Sequence, residues 1–513
     1  MILLSAASLP IYADTTTEAS QRGRQLFFKG EKSSAEPLTA NVGAASIPVP
    51  ATALPCVGCH GRDGLGRPEG GVRPSDITWF NLTKEYGGST LLGRRYRSYD
   101  ESSFLTAVTE GIDSAGNKLD SSMPRYNIAR PDARDLIAYL KVIQDDFDPG
   151  VSTDEIVVGT LQPGQPLQDR LGDAMIAVMQ ARFDEVNRQG GVYGKRLKLK
   201  VMRYQDRQSF IAQSNKLISG DQVFALVNAF SGNADDSLVD LVEAAEIPSI
   251  APYTQFPAPE DGRHLYTFYL HGGLDAQIAA LAKRVGEQAK TLSKAFVFYR
   301  REGGYESSAN KALEFLQENK ITDAQLVAYE GGATQRLADL VDLQANPDPV
   351  VLFLGSSREL VELFINPAPG QQPLQLFLPG YFVGSDILKL PDVYATRLEM
   401  AYFTVPGGNE EGGLTKFRQF MRSNNLGLDF LSARLFAFGA TETLIEGVKR
   451  SGKRVTRKKF VAAIEEMYAF DAGLNRPISY GSQRRTGLRG AYVVNFDTQQ
   501  KRLSSTGTWI RLD

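Results

Sequence analysis

Residues 56–60 of this 513-residue chain read Cys-Val-Gly-Cys-His, and these two cysteines are the only ones in the sequence. With this spacing, two thiols can add across the vinyl groups of a haem while the next residue turns its imidazole to the iron. A Cys-x-x-Cys pair also serves as a redox dithiol or as half of a zinc site, but the adjacent His60 and the lack of other cysteines count against both uses. The motif therefore predicts haem c attached to Cys56 and Cys59, with His60 as an axial iron ligand.

A second axial ligand is expected from a Met or His between the motif and the last helix of a small haem domain. Between His60 and Asp154 the sequence offers one such residue, Met123, which precedes Pro124 in the polar run 120–125. Met is also a common gap filler, so local packing of this loop residue is the alternative. We expect Met123 to bind the iron opposite His60.

Helical patterns flank the haem motif at residues 17–30 and 132–143, where apolar residues recur at helical spacing. The chain shows the order G-x-x-x-F, C-x-x-C-H, M-P and L-x-x-Y-L between Gly23 and Leu140. This order resembles the class I cytochrome c family, which implies an all-α domain whose first and last helices cross over a haem that transfers single electrons. Residues 31–55 depart from the family as a longer connection, rich in Ser, Ala and Pro, that we expect to be a surface loop.

The overall composition is that of an ordinary folded protein, with 42% hydrophobic and 23% charged residues. The chain exceeds the size that a single hydrophobic core usually serves, so we expect about two or three domains. Lys and Arg number 57 against 59 Asp and Glu, and this near balance offers no broad positive surface for nucleic acid. The basic stretch 453–459 is expected to be the solvated face of a helix that begins after Thr456.

Residues 1–13 form a short apolar run that ends in Ala13, the kind of small residue that signal peptidase prefers. The positive residues that usually open a signal peptide are missing and Pro10 interrupts the run, so we interpret it as a signal-peptide remnant. No other segment has the roughly twenty consecutive apolar residues that a membrane span needs. These features predict export of a soluble protein to the periplasm.

The sequence pattern changes after residue 154 to short apolar strands that alternate with amphipathic helices, which predicts a parallel sheet covered by helices. We expect a cytochrome c domain over 14–148, a linker over 149–154 within an acidic stretch that contains Pro and Gly, and an α/β domain over 155–513. The predicted elements are strands at 156–159, 197–202, 224–227, 295–299 and 350–354, and a helix over 171–187.

Short motifs in this second region resemble the type I periplasmic binding proteins, specifically the leucine/isoleucine/valine-binding branch. They are the Gly-Gly pair at 190–191 followed by VYGKRLKLKVM, NAFSG at 228–232, IPSIAP at 247–252, Asp275 with Gln277, and Gly304-Tyr305-Glu306. The resemblance implies a two-lobed α/β fold with parallel sheets, whose lobes close over a small organic ligand at the strand ends. It also implies a membrane transporter or a sensor as partner.

The same resemblance assigns ligand-binding residues. Ser231, Tyr253 and Thr254 match the positions that hold a ligand carboxylate in the first lobe, and Tyr305 matches the aromatic residue of the second lobe. The alternative is that all four are ordinary loop or strand-end residues that bind no ligand. Amino-acid binders pair the ligand ammonium with an acid near the strand that here lies at 377–381, where no Asp or Glu stands. Because burying an ammonium group without a partner costs several kcal/mol of binding free energy, we expect a neutral or anionic ligand.

The leading functional hypothesis is a periplasmic fusion in which a haem domain passes single electrons and a binding domain captures a small molecule. Its redox partner would be a periplasmic dehydrogenase or another cytochrome. One alternative is a transport or sensory binding protein whose haem reports redox state. A second is an oxidoreductase subunit that acts on the ligand, with His271 as the one candidate proton acceptor. The sequence has no nucleophile elbow, P-loop or dinucleotide fingerprint, so an electron carrier and binding protein is favoured over an enzyme.

Overall fold

The computed structural model describes the greater part of the chain. The described residues are 17–32, 36–43, 45–66, 72–90, 93–232, 234–260, 262–288, 294–330, 349–364, 374–394, 396–404, 413–497, 502–503 and 507–512. The chain divides into two compact units, Met1–Phe147 and Asp148–Asp513. The predicted signal-peptide remnant at 1–13 lies outside the described residues. Within the described ranges, no helix is long and apolar enough to cross a membrane.

The first unit combines helices with short antiparallel strands. Its helices are α1 (Glu18–Lys29), α2 (Cys56–His60), α3 (Trp79–Leu82), α4 (Glu101–Thr109) and α5 (Arg130–Val142). Its strands are β1 (Thr39–Val42), β2 (Ile47–Pro50), β3 (Gly88–Ser89), β4 (Arg95–Tyr96) and β5 (Arg125–Tyr126). β1 pairs with β2 and β5, and β3 pairs with β4.

The segment expected to be a surface loop at 31–55 instead contains a β-hairpin. Thr39 pairs with Pro50 and Val42 with Ile47 in the antiparallel ladder of β1 and β2. The prediction was wrong because Ser, Ala and Pro surround two short strands, and β2 is an edge strand, where Pro is tolerated. The first unit is therefore not all-α.

Helices α1 and α5 pack together in the core of the first unit. The rings of Phe27 and Tyr139 are buried, with centroids 5.3 Å apart. At the edge of the contact, the Arg22 guanidinium donates to both carboxylate oxygens of Asp135, at 2.7 and 2.9 Å. The two terminal helical patterns of this region are thus joined by apolar packing and by an ion pair.

The second unit is built from longer elements. Its helices are α6 (Pro166–Arg188), α7 (Arg207–Asn215), α8 (Asp235–Ala244), α9 (Gly273–Gln288), α10 (Glu306–Glu318), α11 (Ser357–Phe364), α12 (Gly413–Ser423), α13 (Leu431–Arg450) and α14 (Arg457–Glu465). Its strands are β6 (Glu155–Pro163), β7 (Arg196–Tyr204), β8 (Ala225–Val227), β9 (Ser249–Ile250), β10 (Thr267–His271), β11 (Ala295–Arg300), β12 (Ala324–Tyr329), β13 (Val350–Leu354), β14 (Gln375–Pro379), β15 (Leu398–Tyr402), β16 (Thr486–Leu488), β17 (Gly490–Asp497), β18 (Arg502–Leu503) and β19 (Thr508–Arg511). Every strand predicted for this region overlaps an observed strand, and Thr456 caps α14 as predicted.

The first sheet of this unit has the strand order β16-β10-β9-β8-β6-β7 and is parallel throughout. Val158 and Phe268 belong to the core on one face, which includes residues of α6 and α13. Leu161 and Leu226 belong to the core on the other face, with residues of α7 and α8. Because both faces are covered, the inner strands β8 and β10 are buried along their length, whereas the edge strand β7 alternates Leu with Lys.

The second sheet has the order β12-β11-β13-β14-β15-β17-β18, with β19 also paired to β17. Strands β11 to β15 are parallel, and β17 adds an antiparallel edge. The chain passes between the two sheets after β10, after β15 and between β16 and β17. The unit therefore has two α/β lobes, each built on its own sheet.

The predicted linker 149–154 packs on the second unit. The carboxylate of the preceding Asp148 is buried and accepts the Arg457 N–H at 2.6 Å. At Gly150 an added Cβ would lie 2.1 Å from the Phe224 nitrogen, so the backbone passes directly over the residue before β8. These residues are an ordered entry to the first lobe.

Candidate functional site

His60 lies at the end of the short helix α2, with its side chain buried in the first unit. Its Nδ1 lies 2.9 Å from the Ser75 carbonyl oxygen, so Nδ1 carries the proton of the neutral ring and donates it there. Nε2 then keeps a free lone pair, which is how metal-binding histidines are held. Burial lowers the pKa of His60 and so favours the neutral ring.

The two cysteines of the motif differ in exposure. Cys56 is half-buried and Cys59 is exposed. Burial raises the pKa of the Cys56 thiol to about 11, the opposite of the shift that activates a redox dithiol. The Tyr126 hydroxyl donates to the Leu54 carbonyl oxygen at 2.5 Å and lies in hydrogen-bonding contact with the Cys56 thiol. Sequence reasoning missed this tyrosine because the contact joins residues distant in the chain.

Met123 is half-buried in the polar loop between α4 and β5. The Arg125 guanidinium donates to the carbonyl oxygens of Met123, at 2.5 Å, and of Leu119, at 3.0 Å. These hydrogen bonds fix the path of the loop that carries the thioether. The loop is therefore held by a side chain that follows it directly in the sequence.

The side chains at these positions fit a haem c. The donor set is a neutral imidazole with one free nitrogen, two thiols at attachment spacing and a thioether on a tethered loop. In the described part of the chain, no group of three or more His, Cys, Asp or Glu could hold a bare metal ion.

In the second unit, Ser231, Tyr253 and Thr254 come together at the carboxyl ends of β8 and β9. A parallel bridge between Phe230 and Tyr253 extends the pairing of these strands beyond their ends. Ser231 is 1% exposed and Thr254 is 9% exposed. The fold therefore brings the three predicted first-lobe residues to one edge of the sheet.

Asp235, which sequence reasoning missed, bonds to both of these hydroxyl groups. It is the first residue of α8, and its carboxylate accepts the Ser231 hydroxyl. The Thr254 hydroxyl also hydrogen-bonds to it. Burial raises the pKa of Asp235, and the two hydroxyls partly oppose that rise. The available signal was an acid at the start of a helix, directly after the 228–232 loop.

A continuous row of aromatic rings begins beside this cluster. Tyr253 contacts Phe230 and Phe436, with ring centroids 5.0 and 5.2 Å apart. Phe436 lies 5.1 Å from the His271 ring, which stacks on Phe403 at 3.8 Å. Since Phe403 follows β15, the row runs from the strand ends of the first lobe to the second lobe.

Tyr305 lies near the strand ends of the second lobe, after β11. Its ring is 5.0 Å from Phe382, and its hydroxyl is in hydrogen-bonding contact with Tyr381. The Tyr381 ring lies 6.4 Å from Phe256 of the first lobe, and its N–H donates to the Gln277 side-chain oxygen at 3.2 Å. Tyr305 is therefore connected through Tyr381 to the edge that faces the first lobe.

Residues 374–384 of the second lobe contain no Asp or Glu. Two nearby acids have partners: Glu399 lies 2.9 Å from Arg284, and Glu359 lies 3.4 Å from Arg300. Neither is thus an unpaired anchor for a ligand ammonium.

His271 is poorly suited to accept a proton. Its Nδ1 accepts the Gly273 N–H at 3.1 Å, so Nε2 carries the proton of the neutral ring. Burial lowers the pKa of His271 to about 3. A group this weakly basic is a poor general base near neutral pH, which counts against the oxidoreductase alternative.

Comparison with known proteins places the second unit in a family. The family described as "Periplasmic binding protein" matches residues 155–501. A Leu/Ile/Val-binding protein homolog 7 of Brucella suis biovar 1 is 24% identical over 310 residues, which cover 55% of this chain and 75% of that protein.

Two solved structures show the same fold. A branched chain amino acid ABC transporter protein from Thermus thermophilus with bound valine has 14% identity and a TM-score of 0.55, covering 69% of this chain and 97% of that one. A fatty acid ABC transporter substrate-binding protein from Thermomonospora curvata has 15% identity and a TM-score of 0.55, and the match covers 72% of this chain and 94% of that one. The two-lobed α/β fold predicted for this region is confirmed.

Proposed function

The chain belongs to the periplasmic binding protein family, and on that premise we propose that its second unit captures a small organic molecule in the periplasm. The carrying observation is that Ser231 and Thr254 meet at the strand ends of the first lobe, while Tyr305 and Tyr381 lie near those of the second. Hydroxyl groups and aromatic rings on two lobes can together enclose a small ligand. A membrane transporter or a sensor is the partner that this kinship favours.

The first unit, we further propose, carries haem c on Cys56 and Cys59, and His60 and Met123 are the side chains that would bind its iron. Support comes from the Nδ1 contact of His60 with the Ser75 carbonyl oxygen, which holds the ring in one tautomer. When bound, such a haem supplies one-electron transfer at a potential raised by the thioether. The chain contributes the orientation of the imidazole and the anchoring of the Met123 loop by Arg125.

Together these proposals describe an electron carrier joined to a ligand-binding domain. Its electrons would come from, or pass to, a periplasmic dehydrogenase or another cytochrome. The alternative of a transport or sensory protein with haem as a redox reporter uses the same two sites. The oxidoreductase alternative is the weaker one, since His271 is held as a neutral, hydrogen-bonded ring.

The haem proposal is tested on full-length protein made in a host that matures c-type cytochromes. We expect one haem per chain that survives acid-acetone extraction and gives a haem c pyridine haemochrome spectrum. Protein that carries no covalent haem under these conditions would refute the proposal for the first unit.

The binding proposal is tested on the same protein by ligand-dependent melting across a panel of small metabolites. We expect at least one compound to raise the melting temperature. A compound that also reduces the ferric protein without an added enzyme would favour the oxidoreductase alternative. If no compound raises the melting temperature, the binding proposal fails.

A further inference from the structure

The direction of the hydrogen bonds at Ser231 and Thr254 limits what these hydroxyls can offer a ligand. A hydroxyl group has one proton to donate. Ser231 donates its proton to the Asp235 carboxylate. Thr254 also bonds to Asp235, and its oxygen accepts the Phe256 N–H at 2.8 Å, which leaves its proton for the carboxylate. Both hydroxyls are therefore acceptors toward any third group, and neither can donate to a ligand carboxylate.

Among the described residues, no cation is one of the groups that act on the charge of Asp235. The groups that act on it are the hydroxyls of Ser231 and Thr254 and the carboxylate of Asp236. Asp236 is itself bound by Arg207, at 2.7 Å. An anionic ligand at these hydroxyls would meet a like charge, whereas a cation would supply the missing partner.

Aromatic rings beside the cluster can pack against the apolar body of a ligand. Tyr253, the residue before Thr254, contacts the rings of Phe230 and Phe436. A cavity of ≈ 180 Å³ opens at Ser231; its lining is mostly polar and includes Tyr204 and Arg207, and the Arg207 guanidinium is bound to Asp236. Aromatic faces attract ammonium groups and pack against hydrocarbon.

Resting on the proposed binding function, we infer that this site takes an organic amine that lacks a carboxylate, with Asp235 as the residue that sets this specificity. The protonated nitrogen donates to the hydroxyl oxygens of Ser231 and Thr254, and the Asp235 carboxylate balances its charge. The sequence pointed to a neutral or anionic ligand because it offered no acid at 377–381. The acid lies in the other lobe, where it converts a carboxylate-binding position into an amine-binding one.

The test uses the full chain and probes that share a carbon skeleton but differ in head group. One set is phenethylamine, phenethyl alcohol and phenylacetate, and a second is butylamine, butanol and butyrate. Calorimetry and thermal melting should show that the amines bind the wild type and that the acids do not. Asp235→Ala should weaken amine binding about ten- to a hundredfold, the value of one hydrogen bond to a charge, and should allow the matching acid to bind.

Two further variants separate specificity from stability. Asp240→Ala removes an exposed carboxylate from the same helix and should leave both affinities unchanged. Asp235→Asn keeps the size of the side chain and removes its charge, so it replaces Asp235→Ala in the test if that variant does not fold. We expect amine binding to fall in Asp235→Asn as well, because an amide cannot balance an ammonium ion.

Each other outcome overturns the inference. An acid that binds the wild type more tightly than its matching amine refutes it and leaves the proposed binding function standing. Equal amine affinity in Asp235→Asn and the wild type refutes the role of Asp235. If no amine binds, the inference is wrong, while the melting panel of small metabolites decides the proposed binding function separately.

Discussion

The Cα of Gly23 lies so close to the backbone of Asp135 that a Cβ at position 23 would come within 1.9 Å of the Asp135 carbonyl oxygen. The same Cβ would lie 2.8 Å from the Cβ of Tyr139. Helices α1 and α5 therefore pack backbone to backbone at this point, and only a residue without a side chain fits between them. The first unit depends on this contact because Phe27 and Tyr139, which fill its core, lie on the same two helices.

Gly23→Ala should destabilise the first unit by about 1–3 kcal/mol, the usual cost of overpacking. In an exposed helix the same change would instead stabilise by about 1 kcal/mol, because Ala has the higher helix propensity. Hydrogen exchange of the α1 and α5 amides in the full chain measures the effect. Gln25→Ala, on the exposed side of α1, is the control and should leave exchange nearly unchanged. Slower exchange in Gly23→Ala would contradict the close packing.

Cys56→Ala and Cys59→Ala should each weaken covalent haem attachment, and the double variant should abolish it, because each thioether bond needs one of these thiols. Acid-acetone extraction followed by mass spectrometry of the chain measures attachment. Ser75→Ala is a suitable control, since His60 contacts the backbone oxygen of that residue and not its side chain. Haem that resists extraction in the double variant would show that another residue holds it.

Met123→Ala should leave haem attached but lower its midpoint potential, because the thioether favours ferrous iron over the water or stronger donor that replaces it. The weak sulfur-to-iron absorbance of the ferric protein should disappear. Met202→Ala, a half-buried thioether in the second unit, is the control. An unchanged spectrum and potential in Met123→Ala would mean that another residue is the sixth ligand.

His271→Asn should flatten the pH dependence of stability below neutral pH. Burial lowers the pKa of His271 to about 3, whereas an unfolded histidine titrates near 6.5. Between these values the unfolded state binds the extra proton, so the wild type loses roughly 1.4 kcal/mol of stability per pH unit as the pH falls.

Asn keeps a side-chain acceptor for the Gly273 N–H and cannot take up that proton. Loss of the stacking on Phe403 lowers stability at every pH and leaves the slope unaffected. Urea unfolding of both proteins between pH 6.5 and pH 4 provides the comparison. Equal slopes would show that His271 becomes protonated without cost in the folded state.

Elements that are buried on both sides were predictable from the sequence because their pattern depends on local residues alone. The strands expected at 295–299 and 350–354 correspond to β11 and β13, which are continuous apolar runs under helices. The hairpin at 39–50 escaped prediction because its strands are short and partly exposed, with Pro at two positions of β2. β1 also pairs with β5, which is distant in the chain, and a local sequence pattern carries no information about that pairing.

The residues of the candidate binding site also differ in whether local sequence or distant contacts reveal them. The hydroxyls of Ser231 and Thr254 were found because Ser231 lies in the motif at 228–232 and Thr254 closely follows the motif at 247–252. The role of Asp235 depends on Thr254, which reaches it only because β8 and β9 are neighbours in the sheet. Sequence reasoning identified the side chains that a carboxylate would need and missed the carboxylate that the protein itself provides.

Leucine, isoleucine and valine should bind the full chain weakly, with dissociation constants above about 1 mM, a binding free energy weaker than about 4 kcal/mol. Their carboxylate would approach Ser231 and Thr254, whose protons are donated to Asp235, and would be repelled by that acid. Their ammonium would find no Asp or Glu in 374–384 of the second lobe. Calorimetric titration decides the matter, with the matched amines as positive controls on the same sample. Micromolar binding of any of the three would show that the carboxylate position lies elsewhere in the cleft and that an acid outside 374–384 holds the ammonium.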